Sequence, residues 1–247
     1  MNKTQEKTLS VIIPAFNEEG NIRHSIESVL IAVNNLVADF EIIVINDGSR
    51  DETEKIALVK SQANSSIRVV SNDSNKGFGF SFARGVSLAR MNYVTVFPGD
   101  NDMSHQSLEQ LIDAMGSADI VTSHVINMQK RSILRRALSR GFVMMMNFLF
   151  GLHLDYYNGA FVARTELVRS IPIKSMGLTA LAECLVRLIK AGYSYKSIPF
   201  EHTGRKSEKS KALRLKSFFA VLQLVFILWK DIHFLKPTVQ QKPVCSI

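Results

Sequence analysis

The stretch Tyr93-Val94-Thr95-Val96-Phe97-Pro98-Gly99-Asp100-Asn101-Asp102 decides how the chain is read. Its first five residues are apolar or β-branched, the composition of a buried strand. Pro98-Gly99 ends that strand, because proline lacks an N–H and glycine permits a turn. Two carboxylates follow at once, spaced Asp-x-Asp. In an open α/β sheet, ligands bind outside the carboxyl ends of the strands. Two hard oxygen ligands there suit a divalent cation that keeps waters and binds substrate phosphates. The same spacing occurs in ordinary solvated loops, so the surrounding chain has to decide between the two.

Working outward, the same unit recurs. Leu9-Ser10-Val11-Ile12-Ile13-Pro14 is an apolar run closed by proline, and Ala15 to Gly20 form its loop. Asn21 is the expected N-cap of a helix that carries Ile22, Ile26, Val29, Leu30 and Val33 at helical spacing. Glu41-Ile42-Ile43-Val44-Ile45 is a second strand, with a loop through Asp47 and a helix over 53–62. Ile67-Arg68-Val69-Val70 is a third. The glycine-rich loop Asn75-Lys76-Gly77-Phe78-Gly79 then leads into a helix over 81–89, and the strand before Asp100 is the fourth. Strand, loop and helix repeated four times predict an α/β fold with a doubly wound, mostly parallel sheet flanked by helices.

In that topology Asn17, Glu18, Asp47, Lys76, Asp100 and Asp102 all face one crevice. An acid there can accept a hydrogen bond from a base N–H or a ribose hydroxyl. Lys76 can approach a phosphate as a point charge, and a cation at Asp100 and Asp102 can act as a Lewis acid on a leaving diphosphate. The set describes a nucleoside-diphosphate site. No Gly-x-x-x-x-Gly-Lys-Ser/Thr occurs, and no Gly-x-Gly-x-x-Gly follows the first strand, which counts against P-loop NTPases and dinucleotide dehydrogenases.

Charge divides the chain. Residues 1–129 hold 10 Lys+Arg against 16 Asp+Glu, whereas residues 130–216 hold 17 against 5. A basic second half implies an anionic partner. Cys184 and Cys245 lie far apart without metal-ligand spacing, so neither a disulfide framework nor a zinc site is expected. Residues 1–8 are polar and charged, and no secretory signal is expected there.

The motifs Ser10-Val11-Ile12-Ile13-Pro14-Ala15-Phe16-Asn17-Glu18, Ile45-Asn46-Asp47-Gly48-Ser49, Asn75-Lys76-Gly77 and Asp100-Asn101-Asp102 occur in one order. In that order they resemble the family-2 glycosyltransferases of GT-A (Rossmann-like) fold. More narrowly, residues 9–216 resemble the polyprenyl-phosphate sugar transferases, such as the dolichol-phosphate mannosyltransferases. The resemblance implies that Pro14, Ala15, Asn17, Glu18 and Asp47 hold the donor nucleotide, with Lys76, Gly77, Asp100 and Asn101 completing the donor site. It implies Asp100 and Asp102 as ligands of Mg2+ or Mn2+, and Asp102 with Arg205 as catalytic residues. Two departures stand out. Asn46-Asp47 replaces the more usual pair of acids, and Gly99 directly precedes the first acid of the metal loop.

Downstream, residues 128–151 interleave Lys130, Arg131, Arg135, Arg136 and Arg140 with apolar residues. Arg131, Arg135 and Ser139 form a polar stripe at i,i+4 spacing, and Phe142, Met145, Met146, Leu149 and Phe150 form an apolar face. A basic amphipathic helix suits an anionic membrane surface; a packed helix with a solvated basic side is the alternative. Nothing in the interleaving suggests the stacking platform of a nucleic-acid binder. By resemblance, Arg131, Arg135, Arg136, Arg140 and Lys211 meet the acceptor phosphate. The segment 155–161 resembles the family's acceptor-side loop, and Arg205 with Ser210-Lys211 matches a basic loop near the cleft. Glu183, inside an apolar helix, is either paired internally or turned to the site.

The expected organisation is a GT-A domain over residues 1–212, an apolar helix over 213–236 that associates with a membrane or with a second copy, and a disordered tail over 237–247. Its apolar core of about a dozen residues is short of the roughly 18–20 needed to span a bilayer. The expected activity is inverting transfer of a sugar from a nucleoside-diphosphate donor to a polyprenyl phosphate, on the cytoplasmic face of the membrane, within glycan or cell-wall synthesis. A saccharide acceptor, or a non-catalytic nucleotide- or lipid-binding relative, are the alternatives. A saccharide hydroxyl would need a base, so a third acid in the cleft would favour that acceptor.

Overall fold

The computed structural model describes residues 7–126, 133–200 and 215–234. Strands β1 (Thr8–Ala15), β2 (Asp39–Asn46), β3 (Ile67–Ser71) and β4 (Tyr93–Val96) alternate with helices α1 (Ile22–Val33), α2 (Thr53–Ala63) and α3 (Phe78–Leu88). Then come α4 (His105–Ala114), β5 (Ile120–Val125), α5 (Ile133–Phe150), β6 (Phe161–Arg164), α6 (Thr165–Arg169), α7 (Thr179–Lys190), β7 (Tyr195–Phe200) and α8 (Leu215–Phe234).

The described strands form one seven-stranded sheet in the order β3-β2-β1-β4-β6-β5-β7. β1 pairs in parallel with β2 and β4, and β2 with β3, so these four strands end at one edge. β1 is buried at every position from Leu9 to Ala15. Because successive side chains point to opposite faces, burial at every position means that both faces of the sheet are covered. α1 packs against α2 and α4, and α3 packs against α6 and α7. The outer strands differ. β3 buries only Ile67, and β7 carries Pro199, which an edge strand tolerates because its N–H is not needed by a second neighbour.

The four-fold strand–helix repeat is present as expected, and α1 and α2 start where the sequence placed them. Three differences are physical. First, β6 runs antiparallel to both β4 and β5. Its four residues begin at Phe161, the last residue of the segment read as an acceptor-side loop, and are too short a run to stand out. Second, Asn21 precedes α1 but makes no side-chain cap. Its Nδ2 donates to Glu18 Oε2 at 2.9 Å, while Asn21 N and Ile22 N donate to Glu18 O. The backbone turn at Glu18 thus supplies the acceptor that the cap residue was expected to provide.

Third, α5 is apolar on two sides. Met146 and Phe150 are buried, with Phe142, Met145 and Leu149 packed beside them, so the face expected to be apolar belongs to the core. Ile133, Leu134, Leu138, Met144 and Phe148 face outward instead, Phe148 at 86% exposure. α8 repeats this. Leu224 and Leu228 are buried, while Leu222, Phe226 and Trp229 are exposed. α8 packs against α7 and α5. Among the described residues no helix is long and apolar enough to cross a membrane.

Candidate active site

The loops that leave the carboxyl ends of β1 and β2 hold each other. Asn17 has φ +54°, a left-handed conformation that asparagine tolerates. Its N–H donates to Ser49 Oγ at 3.0 Å, and its Oδ1 accepts from Arg50 N at 2.9 Å. Glu18 N donates to Thr53 Oγ1 at 2.7 Å and Glu19 N to Asp51 Oδ2 at 3.1 Å. Burial pushes the Asp51 carboxyl up, but hydrogen bonds from Thr53 and from the Glu19 N–H outweigh it and hold it below the ordinary aspartate value. Ser49, Arg50, Asp51 and Thr53 therefore fix the β1 loop without any ligand.

Asp47 is buried, and three donors meet it. Its Oδ1 accepts from Asn72 Nδ2 at 2.7 Å and Lys76 N at 2.9 Å; its Oδ2 accepts from Gly77 N at 2.8 Å. The carboxylate thus shapes the Lys76-Gly77 turn that opens α3. A carboxylate offers about four acceptor positions, so one remains for a further donor. Asn72 also donates to Ser81 Oγ, and Arg84 donates to Asn72 Oδ1. Sequence reading missed Asn72, Ser81 and Arg84. Their signal is spatial, a polar cluster in which Asn72 and Ser81 are buried at the end of β3.

The acidic loop is anchored to β1 and α1. A Cβ on Gly99 would lie 2.6 Å from Pro14 O, so only glycine lets this loop cross the end of β1. Ser25 Oγ donates to Gly99 O at 2.9 Å, and Ser28 Oγ to Asn101 Oδ1 at 3.1 Å. The glycine ahead of the first acid is therefore required by the close approach to Pro14. Asn101 has φ +54°, and Asp102 N donates to Asp100 Oδ1 at 3.3 Å. The turn presents two half-exposed carboxylates from one loop. Among the described residues no group of three or more His, Cys, Asp or Glu is arranged to hold a metal ion by itself. An all-oxygen pair of this kind fits a Mg2+- or Mn2+-type cation that completes its shell with waters and diphosphate oxygens.

Beside this crevice is a cleft of about 390 Å³, lined by His124, Val125, Ser139, Arg140, Val143, Met144, Asp155 and Tyr156. β5 and β4 both run antiparallel to β6, so the cleft opens at the same sheet edge as the acidic loop. Two strand spacings, about 10 Å, separate β4 from β5. His124 Nδ1 lies 2.8 Å from Ser197 Oγ. Asn147 builds the loop that brings Asp155 into the cleft: its Nδ2 donates to Leu154 O at 2.9 Å, and its Oδ1 accepts from Leu154 N and from Tyr157 Oη. Burial pushes the Tyr157 phenol well up, so it stays a neutral donor.

Of the acceptor-side candidates, Arg140 lines the cleft, Arg136 is half-buried on α5, and Arg135 lies on the same helix. Arg131, Arg205 and Lys211 lie outside the described residues. Pro14, Ala15, Asn17, Glu18, Asp47, Lys76, Gly77, Asp100, Asn101 and Asp102 all sit on or next to the loops at the ends of β1, β2, β3 and β4. Glu183 is paired internally and takes no direct part in the crevice.

A sequence profile described as Glycosyl transferase family 2 matches residues 10–171, from β1 past the end of α6. The chain belongs to this family. The dolichol-phosphate mannosyltransferase of Pyrococcus furiosus is 27% identical over 232 residues, 90% of this chain and 64% of that protein. The dolichyl-phosphate β-glucosyltransferase of Dictyostelium discoideum is 30% identical over 152 residues, 54% of this chain and 46% of that protein. The match thus spans less than two thirds of either relative. Glucosyl-3-phosphoglycerate synthase of Mycobacterium tuberculosis, solved with Mn2+, UDP-glucose and phosphoglyceric acid, superposes with a TM-score of 0.66 at 22% identity, covering 92% of this chain and 79% of that one. That likeness establishes the GT-A fold for this family 2 member. The matched profile stops before α7, β7 and α8, which carry the Glu183 cluster and the second apolar surface.

Proposed function

We propose that this family 2 glycosyltransferase moves a sugar, with inversion, from a nucleoside-diphosphate donor to a polyprenyl phosphate at the cytoplasmic membrane face. The observation that carries the reading is the adjacency of two sites on one sheet edge. One is the interlocked crevice ending in Asp100 and Asp102; the other is the Arg140 cleft on α5, whose outward face is apolar. The relatives named for dolichol-phosphate transfer support the acceptor class.

In this reading Asp47 and the β1 and β2 loops seat the nucleotide, and Lys76 meets its phosphates. Asp100 and Asp102 hold the cation, which when bound neutralises charge on the departing diphosphate. Arg140 and Arg136 draw the acceptor phosphate to the cleft. A phosphate oxygen is already anionic, so alignment and charge stabilisation carry the rate without a strong base. Arg131, Arg135, Arg205 and Lys211 would add further cations on the acceptor and diphosphate side, and the exposed faces of α5 and α8 would lie in the membrane interface.

A saccharide acceptor is the second reading, favoured by one observation: Asp155, an acid in addition to Asp100 and Asp102, lines the cleft. It could deprotonate a hydroxyl. The test is a panel of nucleotide sugars with Mg2+ or Mn2+, offered either a polyprenyl phosphate or soluble saccharides, using the wild type and Asp155→Asn. Transfer to polyprenyl phosphate that survives Asp155→Asn supports the proposal. Transfer to a saccharide hydroxyl that Asp155→Asn abolishes replaces it.

A further inference from the structure

A charged cluster outside the crevice connects α8 to the donor loop. Glu183 and Arg187 on α7 are 0% and 7% exposed at their side chains, and Asp231 on α8 is 10% exposed. Glu183 Oε1 accepts from Arg187 Nε and Nη2 at 2.9 and 2.8 Å. Asp231 Oδ2 accepts from Arg187 Nη2 at 2.6 Å and from Lys174 Nζ at 2.7 Å. Two anions and two cations balance, as buried charge requires.

The other Glu183 oxygen turns away from this ion network toward the backbone. Oε2 accepts from Lys174 N at 3.0 Å and Ser175 N at 2.7 Å, which fixes the segment ahead of α7. That segment presses on the start of α3. Gly79 N donates to Met176 O at 2.8 Å. A Cβ on Gly77 would lie 2.4 Å from Met176 O, and one on Gly79 would lie 1.8 Å from Ser175 O. Gly77 is also the residue whose N–H meets Asp47. The Lys76-Gly77 turn is therefore held on one side by Asp47 and on the other by a backbone segment that Glu183 orients.

We infer that Glu183 and Asp231 are positioning residues for the donor site: through Arg187, Lys174 and the Met176 carbonyl, the seating of α8 sets the shape of the Lys76-Gly77 turn and hence donor affinity. The inference rests on the donor reading proposed above. It gives α8 a second role beside its exposed Leu222, Phe226 and Trp229. The inward face tunes nucleotide binding, and the outward face contacts a surface.

The experiment uses the full chain and calorimetric titration with UDP and with GDP, each with Mg2+. Asp231→Asn is expected to weaken whichever nucleotide binds by about fivefold or more, the lower end of ordinary coupling between sites. Asp231→Glu, which keeps the charge, is expected to recover most of it. The KM for donor should rise while the KM for acceptor stays put, a split that a general loss of stability would not produce. Amides of Lys174, Ser175 and Gly79 should exchange faster in Asp231→Asn, and Phe226→Ser, on the outward face, should leave nucleotide affinity unchanged. If Asp231→Asn does not fold, Lys174→Gln at the half-exposed end reports instead, with weaker nucleotide binding expected. Nucleotide affinity within twofold of wild type in the folded variant overturns the coupling alone. A wild type that binds neither nucleotide removes the donor reading and this inference with it.

Discussion

At the donor end, the loops that follow β1, β2 and β3 hold one another by hydrogen bonds, Asp47 alone accepting three. The loop after β4 is tied to α1 through Ser25 and Ser28. At the α5 end the same sheet edge carries a cleft whose helix turns large apolar side chains outward, with Phe148 at 86% exposure. One end is finished without its ligand; the other exposes surface that water alone does not favour. The contrast teaches where each kind of specificity comes from. A preorganised crevice spends little of its binding energy on ordering, and so can select one nucleotide. In the proposed reading, an apolar face flanked by Arg136 and Arg140 would select an environment, an anionic surface, more than a particular molecule.

The largest effect expected from breaking the donor end is at Asp102. Asp102→Asn keeps the volume and the N–H that donates to Asp100 Oδ1, so the loop fold survives. It removes one of two carboxylates that would hold the cation. Turnover is expected to fall by orders of magnitude, roughly the 100- to 1000-fold seen when a preorganised charge-stabilising group is lost, with thermal stability unchanged. Steady-state rates with added Mg2+, and with excess chelator for the wild type, decide it. Undiminished turnover in either sample removes the acidic pair from the mechanism.

Asp47→Ala comes next in size. The sequence assigned Asp47 to the donor nucleotide, and its internal work is now clear: the N–H groups of Lys76 and Gly77 and the Asn72 amide all lose an acceptor. A buried donor left unpaired costs about 1–3 kcal/mol, and that penalty falls on the turn itself. Nucleotide affinity is expected to weaken by roughly that amount, with faster exchange of the Lys76 and Gly77 amides. Calorimetry and hydrogen exchange on the same sample separate two roles. Lost affinity with unchanged exchange would mean that Asp47 acts on the nucleotide directly and not through the turn.

What could be read from the chain follows the same division. Apolar runs broken by Pro14, Pro98 and glycine loops gave the central parallel strands, because buried parallel strands are nearly continuous in hydrophobicity. The order of the loop motifs then placed the crevice. Asp47, Lys76 and Gly77 were each placed at the crevice, but the bonds between them were not, since they join a side chain to backbone amides 29 and 30 residues away. Glu183 left two readings open because Asp231, which completes its cluster through Arg187, is 48 positions later, just past the end of an apolar run. α5 was recognised as basic and amphipathic. The face read as apolar, Phe142, Met145, Met146, Leu149 and Phe150, is the one that enters the core, while the exposed face of Ile133, Leu134, Leu138, Met144 and Phe148 was not singled out. Gly99 read as a departure from pattern; the reason for it, Pro14 O at 2.6 Å from its would-be Cβ, is a tertiary contact.

The smallest effects on the donor reaction are expected at the apolar end, and they sharpen the comparison most. The exposed faces of α5 and α8 should bring the intact chain onto vesicles that contain anionic lipid. Burying one phenyl side chain contributes about 1.5–3 kcal/mol, so Phe148→Ser on α5 and Phe226→Ser on α8 should each lower co-sedimentation at every salt concentration. One Arg or Lys near an anionic surface contributes about 1 kcal/mol, screened beyond a Debye length. Arg136→Gln should therefore lower attachment at low salt by roughly fivefold, the equivalent of that energy, and by little at high salt. None of the three should alter nucleotide affinity, because none touches the donor loops. If the intact protein does not sediment with anionic vesicles even at low salt, the outward faces are not a membrane surface. The polyprenyl acceptor then loses its physical support, the donor crevice keeps all of its own, and Asp155 becomes the residue on which a saccharide acceptor would turn.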